Sequence, residues 1–171
     1  GLPLHSRFRI DGIKAGLMKI VRYQQQDGST LLGQQHDDGS ATRLDGDLYG
    51  DLTESGEPVS GKLLSPIHPV DVLCIGLNYR RHAEEANAPI PKYPVLFMKT
   101  SSTVQNPGDP IVLPRHLKSE RVDYECELAV VIGRTCHNVS KADALDYVLG
   151  YMCANDVSAR DWQKDYGGSQ W

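Results

Sequence analysis

Short apolar runs rich in β-branched residues recur along this chain, and Gly, Pro and Asp-Gly pairs cut them apart. Residues 1–17 lack any such period, and Met18-Lys19-Ile20-Val21-Arg22-Tyr23 reads as a start running into a strand. Residues 1–17 are therefore read as an added or upstream extension and kept out of the fold argument. Strands are expected at 19–23, 29–32 and 41–44, separated by Asp27-Gly28, Asp38-Gly39 and Asp45-Gly46. Asp-Gly pairs favour tight hairpin turns because glycine accepts positive φ. A short turn or helix is expected near 47–55. Ser65-Pro66-Ile67-His68-Pro69 reads as an extended linker. Residues 18–69 thus form a small antiparallel β region.

The second region, 70–171, opens with a strand at 70–75 ending at Gly76. Helix formers such as Ala83, Glu84, Glu85 and Ala86 predict a helix over 78–87, and Pro89, Pro91 and Pro94 turn the chain after it into a loop. Strands follow at 95–99, 111–113 and across 124–133. Ser140 as N-cap with Asp143 three residues on predicts a helix over 140–148. A strand at 151–155 then delivers Asp156, and a polar helical segment over 158–165 ends at Gly167-Gly168. Many short strands with brief helices predict an α+β fold, mostly β, with mixed pairing.

Composition narrows the classes. The 171 residues are 40% hydrophobic and 23% charged, with net charge −4, which suits a globular domain. There is no basic run, which argues against a nucleic-acid partner. No apolar stretch approaches the roughly 20 residues that span a bilayer, so neither a membrane partner nor a signal peptide is expected and a cytoplasmic location is. Cys74, Cys126, Cys136 and Cys153 contain no C-x-x-C pair, which argues against zinc. Cys74, Cys126 and Cys153 sit in apolar sequence and read as reduced, buried residues.

Three constellations carry candidate chemistry. Tyr124-Glu125-Cys126-Glu127 places two carboxylates at i and i+2, on one face of a strand. They are either solvated strand-end residues or, with Asp156, ligands to a hard divalent cation that relieves their repulsion. Asp156 can equally cap the helical segment after it. In Asn78-Tyr79-Arg80-Arg81-His82-Ala83-Glu84-Glu85, His82 and Glu85 share a helix face. They form an exposed polar pair, or a carboxylate-oriented imidazole able to take a proton from water. In Ser158-Ala159-Arg160-Asp161-Trp162-Gln163, Arg160 can fork onto a carboxylate with Gln163 on its face, or serve in a surface ion pair.

In their order along the chain, Gly76-Leu77-Asn78-Tyr79 with His82 and Glu85, the stretch 94–99, Asp123-Tyr124-Glu125-Cys126-Glu127-Leu128 and Asn155-Asp156-Val157-Ser158-Ala159-Arg160-Asp161-Trp162-Gln163 resemble the fumarylacetoacetate hydrolase family, in its domain-containing members with a short N-terminal β region. The resemblance spans roughly residues 70–171. It implies a mixed β-roll, here a partial catalytic core, and a Mg²⁺ or Mn²⁺ ion, with Ca²⁺ able to take its place in a crystal. It implies Glu125, Glu127 and Asp156 as metal ligands, His82 and Glu85 as a catalytic dyad on a lid, and Lys99, Arg160 and Gln163 around the substrate.

The implied reaction is hydrolytic carbon–carbon cleavage of a 2,4-dioxo acid such as an acylpyruvate, through a metal-stabilised enolate. Oxaloacetate decarboxylation and dienoate isomerisation or hydration use the same stabilisation. In the family the chain continues into a Gly-Lys and Phe-Asp stretch whose lysine lies in the active site, whereas this sequence stops at Trp171. The expectation is a C-terminally truncated roll that self-associates into a dimer or higher homo-oligomer. It is either a hydrolase or lyase, or a non-catalytic binding or structural module. A partly folded fragment is the third alternative.

Overall fold

The structure, a computed structural model, describes residues 18–168, so the expected extension at 1–17 lies outside the described residues. The chain divides into two compact units. One comprises 18–44 and 55–110; the other includes 45–54 and 111–168.

The N-terminal strands are β1 (Ile20–Gln24), β2 (Thr30–Gln35), β3 (Ala41–Gly46), β4 (Leu52–Pro58) and β5 (Lys62–Leu64), in the sheet order β4-β3-β2-β1-β5. Two of the three expected Asp-Gly hairpins form, at Asp27-Gly28 and Asp38-Gly39, whereas Asp45-Gly46 ends strand β3 and the turn follows at Asp47. Asp27 Oδ1 accepts from the backbone N–H and hydroxyl of Ser29 at 2.9 and 2.6 Å, and Asp38 repeats this with Ser40. Gly28 and Gly39 follow those aspartates at φ of 85° and 86°, where a side chain would be strained. Ala41, Leu44, Leu52 and Val59 are buried. Gly33 is required by packing, since a Cβ there would lie 2.7 Å from Val59 Cγ1.

One expectation changes here. The turn after Asp47 is present, closed by Gly50 N–H to Asp47 O at 3.0 Å. It leads into β4 and not into a helix. That strand carries one buried apolar residue, Leu52, among exposed polar ones, so alternation left no signal. It lies at a sheet edge, where polar strands resist unwanted pairing.

Farther along, β6 (Val72–Gly76) pairs antiparallel with β7 (Val95–Lys99), Cys74 opposite Phe97. Between them lies helix α1 (Arg80–Glu85). Residues 111–113 are not a strand: Ile111, Val112 and Leu113 are exposed and unpaired as a ladder.

In the other unit, β8 (Val122–Asp123) pairs with β11 (Ser158–Ala159), and β9 (Cys126–Ile132) pairs with β10 (Val148–Asn155), both antiparallel. The expected helix over 140–148 is only a 3-10 turn, Ala144–Tyr147. The cap pair exists, with Ser140 Oγ donating to Asp143 Oδ2 at 2.7 Å, but β10 claims the chain at Val148 before a helix can develop. The segment after β11 is helical, ending in a π-helical turn, Trp162–Tyr166.

Cys126 and Cys153 are free thiols, as read. Cys126 and Cys153 are exposed, however, and Cys74 is half-buried. In β9 only alternate residues turn inward: Leu128, Val130 and Ile132 face out, and Cys153 lies opposite Leu128 on that outer face. The apolar run there marks a two-faced strand with one face uncovered.

Candidate metal centre

Strand register brings the three predicted carboxylates to one face. Glu127 stands opposite Ala154, and Cys126 opposite Asn155. The ladder continues one step further: Asp156 N–H donates to Glu125 O at 2.9 Å. Directly opposed residues of an antiparallel pair point the same way, as do i and i+2. Glu125, Glu127, Ala154 and Asp156 therefore share a face, and all are half-buried while Cys126 and Asn155 are exposed. Ala154 leaves space across from Glu127. Asn155 Oδ1 accepts from Glu125 N–H at 3.2 Å, tying down the backbone from which Glu125 projects.

Arg160 fixes the side chain of Glu125. Its guanidinium donates through Nη2 to Glu125 Oε1 at 2.8 Å, through Nε to Asp123 Oδ2 at 2.9 Å and through Nη1 to Gln163 Oε1 at 3.0 Å. The Arg160 side chain is 15% exposed and that of Glu125 19%. Burial opposes the charged guanidinium, but its hydrogen bond to Asp123 and the charges of Glu125 and Asp123 outweigh that, so its pKa is raised. Ser158, itself buried, adds a hydroxyl donor to Glu125 Oε1 at 3.2 Å.

Asp161 secures the segment that carries Arg160 and Gln163. It accepts from Ser119 Oγ at 2.6 Å, Glu120 N–H at 3.0 Å and Trp162 N–H at 2.9 Å. These bonds, led by that of Ser119, hold its carboxyl below the ordinary aspartate pKa. Trp162 Nε1 donates to Lys118 O at 3.1 Å, and Arg121 pairs with Asp165 at 3.1 Å. Sequence reasoning missed Asp123, Ser158, Ser119 and Asp161. Asp123 was readable as the next alternate residue before Glu125; the others act through contacts 33 to 42 residues away.

His82 and Glu85 both lie on α1, in the other unit, with His82 half-buried and Glu85 exposed. No hydrogen bond or ion pair joins them among the described residues. The helix is short but well ended. Asn87 takes φ of 48°, and Asn87 N–H and Ala88 N–H bond back to Glu84 O and Ala83 O at 3.1 and 2.9 Å. That is a Schellman closure with asparagine in place of glycine. Leu77, just before the helix, holds φ of 50°, a conformation that costs a side-chain-bearing residue about 1–3 kcal/mol. Lys99 is half-buried at the end of β7, opposite Val72.

Carboxylate oxygens on one strand face suit a hard divalent cation in kind and in placement. Among the described residues, no three His, Cys, Asp or Glu side chains are drawn together into ligating geometry. Glu125 Oε1 is instead directed to Arg160. The residues fit such an ion as a face of donors that it would gather in.

The fold is mostly β, its described strand pairs are antiparallel, and it carries this carboxylate face at the end of the β9–β10 ladder. The profile of the fumarylacetoacetate (FAA) hydrolase C-terminal family matches residues 71–171, and the chain belongs to that family. It is 52% identical over 110 residues to a fumarylacetoacetate hydrolase domain-containing protein 2 homolog of Dictyostelium discoideum, covering 64% of this chain and 35% of that one. It is 46% identical over 109 residues to the mitochondrial oxaloacetate tautomerase FAHD2A of Homo sapiens, covering 63% and 34%.

Among solved structures it resembles a 2-hydroxyhepta-2,4-diene-1,7-dioate isomerase from Mycobacterium marinum, with TM-score 0.73 and 34% identity over 90% of this chain and 60% of that one. A fumarylacetoacetate hydrolase from Exiguobacterium antarcticum aligns with TM-score 0.68 and 31% identity over 88% and 60%. The matched part is thus about a third of these curated relatives and three-fifths of the solved chains. Among the described residues no helix is long and apolar enough to cross a membrane.

Proposed function

We propose that this chain carries the Mg²⁺- or Mn²⁺-binding part of an enzyme acting on 2-oxo acids, with cleavage of a carbon–carbon bond in a 2,4-dioxo acid as its reaction. The observation that carries this reading is the register placing Glu125, Glu127 and Asp156 on one face. When bound, the cation would supply Lewis-acid stabilisation of the enolate charge that develops as the bond breaks. Glu125, Glu127 and Asp156 would hold it. Ser158 and Arg160 keep Glu125 aimed. His82 is assigned the proton abstraction from water, with Glu85 as the carboxylate that orients it, and Lys99, Arg160 and Gln163 the recognition of substrate oxygens.

A second reading has its own support. Relatives 46–49% identical to this chain are oxaloacetate tautomerases. Oxaloacetate is itself a 2-oxo acid with an acidic carbon beside the ketone, so the same carboxylate face serves its keto–enol exchange without breaking a carbon–carbon bond. Homo-oligomer formation belongs to both readings and is supported by the uncovered face of Leu128, Val130, Ile132 and Tyr151.

The deciding experiment is a Mn²⁺ titration with and without oxalate, an enolate mimic, followed by assays on acylpyruvates and oxaloacetate with Mn²⁺ present. Binding tightened by oxalate, with pyruvate released from acylpyruvates, supports the hydrolase. Enol–keto exchange of oxaloacetate without pyruvate release selects the tautomerase. Metal binding without either activity leaves a non-catalytic module, and no metal binding overturns the assignment of the carboxylate face.

A further inference from the structure

Glu125 Oε1 already has two donors: Arg160 Nη2 at 2.8 Å and Ser158 Oγ at 3.2 Å. A carboxylate offers about four lone-pair positions over two oxygens, so Oε1 is filled. Among the described residues Oε2 accepts no hydrogen bond. Arg160 cannot turn away freely, because its other nitrogens are committed to Asp123 and Gln163 and the side chain is 15% exposed. Ser158 is held as well, by its pairing with Asp123 in the β8–β11 ladder.

Divalent cations differ in how they use a carboxylate. Ca²⁺ takes six to eight oxygens and accepts both from one carboxylate, whereas Mg²⁺ demands a compact octahedron and takes them singly. Building on the metal assignment above, we propose that Arg160 and Ser158 select the cation: by occupying Glu125 Oε1 they restrict Glu125 to one-oxygen ligation and so disfavour Ca²⁺ relative to Mg²⁺ and Mn²⁺. Arg160 and Ser158 are positioning residues in this role, acting on the ion only through Glu125.

Charge and donor effects separate cleanly in the test. Loss of the guanidinium strengthens the attraction for every divalent cation, so affinity alone is uninformative and the ratio of Mn²⁺ to Ca²⁺ affinity is the readout. It is measured by electron paramagnetic resonance of free Mn²⁺ under Ca²⁺ competition, without any activity assay. Arg160→Lys keeps the charge but loses the fork; Ser158→Ala removes one donor to Oε1 and leaves the charge alone. The ratio is expected to fall by about 10-fold in Arg160→Lys, the scale seen when groups that orient a ligand are lost, and to fall in the same direction by less in Ser158→Ala. Should Arg160→Lys fail to fold, Ser158→Ala carries the test. A wild type that binds Mn²⁺ with a ratio unchanged by the folded variants overturns this inference alone. A wild type that binds no Mn²⁺ overturns it together with the metal assignment.

Discussion

The backbone N–H of Asp156 donates to the carbonyl oxygen of Glu125 at 2.9 Å, one ladder step past the last paired residues of β9 and β10. That bond puts Asp156 beside Glu125 on the face that Glu127 shares. It makes a carboxylate face out of residues 31 positions apart in sequence.

Glu127→Gln is expected to weaken Mn²⁺ binding by at least about 10-fold, since a charged ligand becomes a neutral one while shape is kept. Titration of the variant beside the wild type, followed by Mn²⁺ resonance, reads this directly. Equal affinities would remove Glu127 from the ligand set.

His82→Ala is expected to lower kcat by about 10²- to 10⁴-fold, the usual worth of a general base, while Mn²⁺ affinity stays unchanged. Steady-state kinetics on whichever of the acylpyruvates or oxaloacetate the wild type turns over, with metal titration as control, checks both halves. A variant with wild-type kcat would return His82 to the role of a helix surface residue.

Acid should loosen the segment that carries Arg160. The Asp161 carboxyl has its folded pKa depressed, chiefly by the Ser119 hydroxyl. A depressed carboxyl contributes stability that is present above its unfolded value and is lost as pH falls through the folded one. Asp27, Asp38 and Asp109 are shifted in the same direction, so the comparison must be between variants. Urea unfolding from about pH 5 down to about pH 2 should show a shallower loss of stability in Asp161→Asn than in the wild type. Parallel curves would show that Asp161 does not contribute.

Two neighbouring contacts should differ in worth. Lys62 and Asp109 form a 2.9 Å ion pair with side chains 52% and 27% exposed, so Lys62→Ala should cost less than about 1 kcal/mol. Asn106 Oδ1 accepts from the N–H of buried Ser65 at 3.0 Å, and Asn106→Ala strands that donor, at about 1–3 kcal/mol. Denaturant unfolding of both variants at neutral pH tests the ranking, and a larger loss in Lys62→Ala would reverse it.

Legibility followed the range of the interaction. Asp27-Gly28 and Asp38-Gly39 made their hairpins because the aspartate and glycine act within a few residues of each other. The strand expected over 95–99 forms with those ends, since an apolar run that starts straight after Pro94 and stops at Lys99 has few alternatives. The helix expected over 140–148 gives way to a 3-10 turn, because a real cap at Ser140 says where a helix can start and nothing about where β10 takes the chain. The strand β4 carries no signal in its own residues, because its partner strand, and not its own side chains, makes it a strand.

The sequence by itself determined the alternation that puts Glu125 and Glu127 on one face and the helix that carries His82 and Glu85. These are consequences of period and spacing. Only the tertiary structure decided that Asp156 joins that face, that Cys126 and Cys153 look outward, and that Arg160 grips Glu125 and Asp123. Each of those depends on which strand lies beside which and in what register, and pairing between distant segments is fixed by packing and ladder hydrogen bonds that no local pattern encodes.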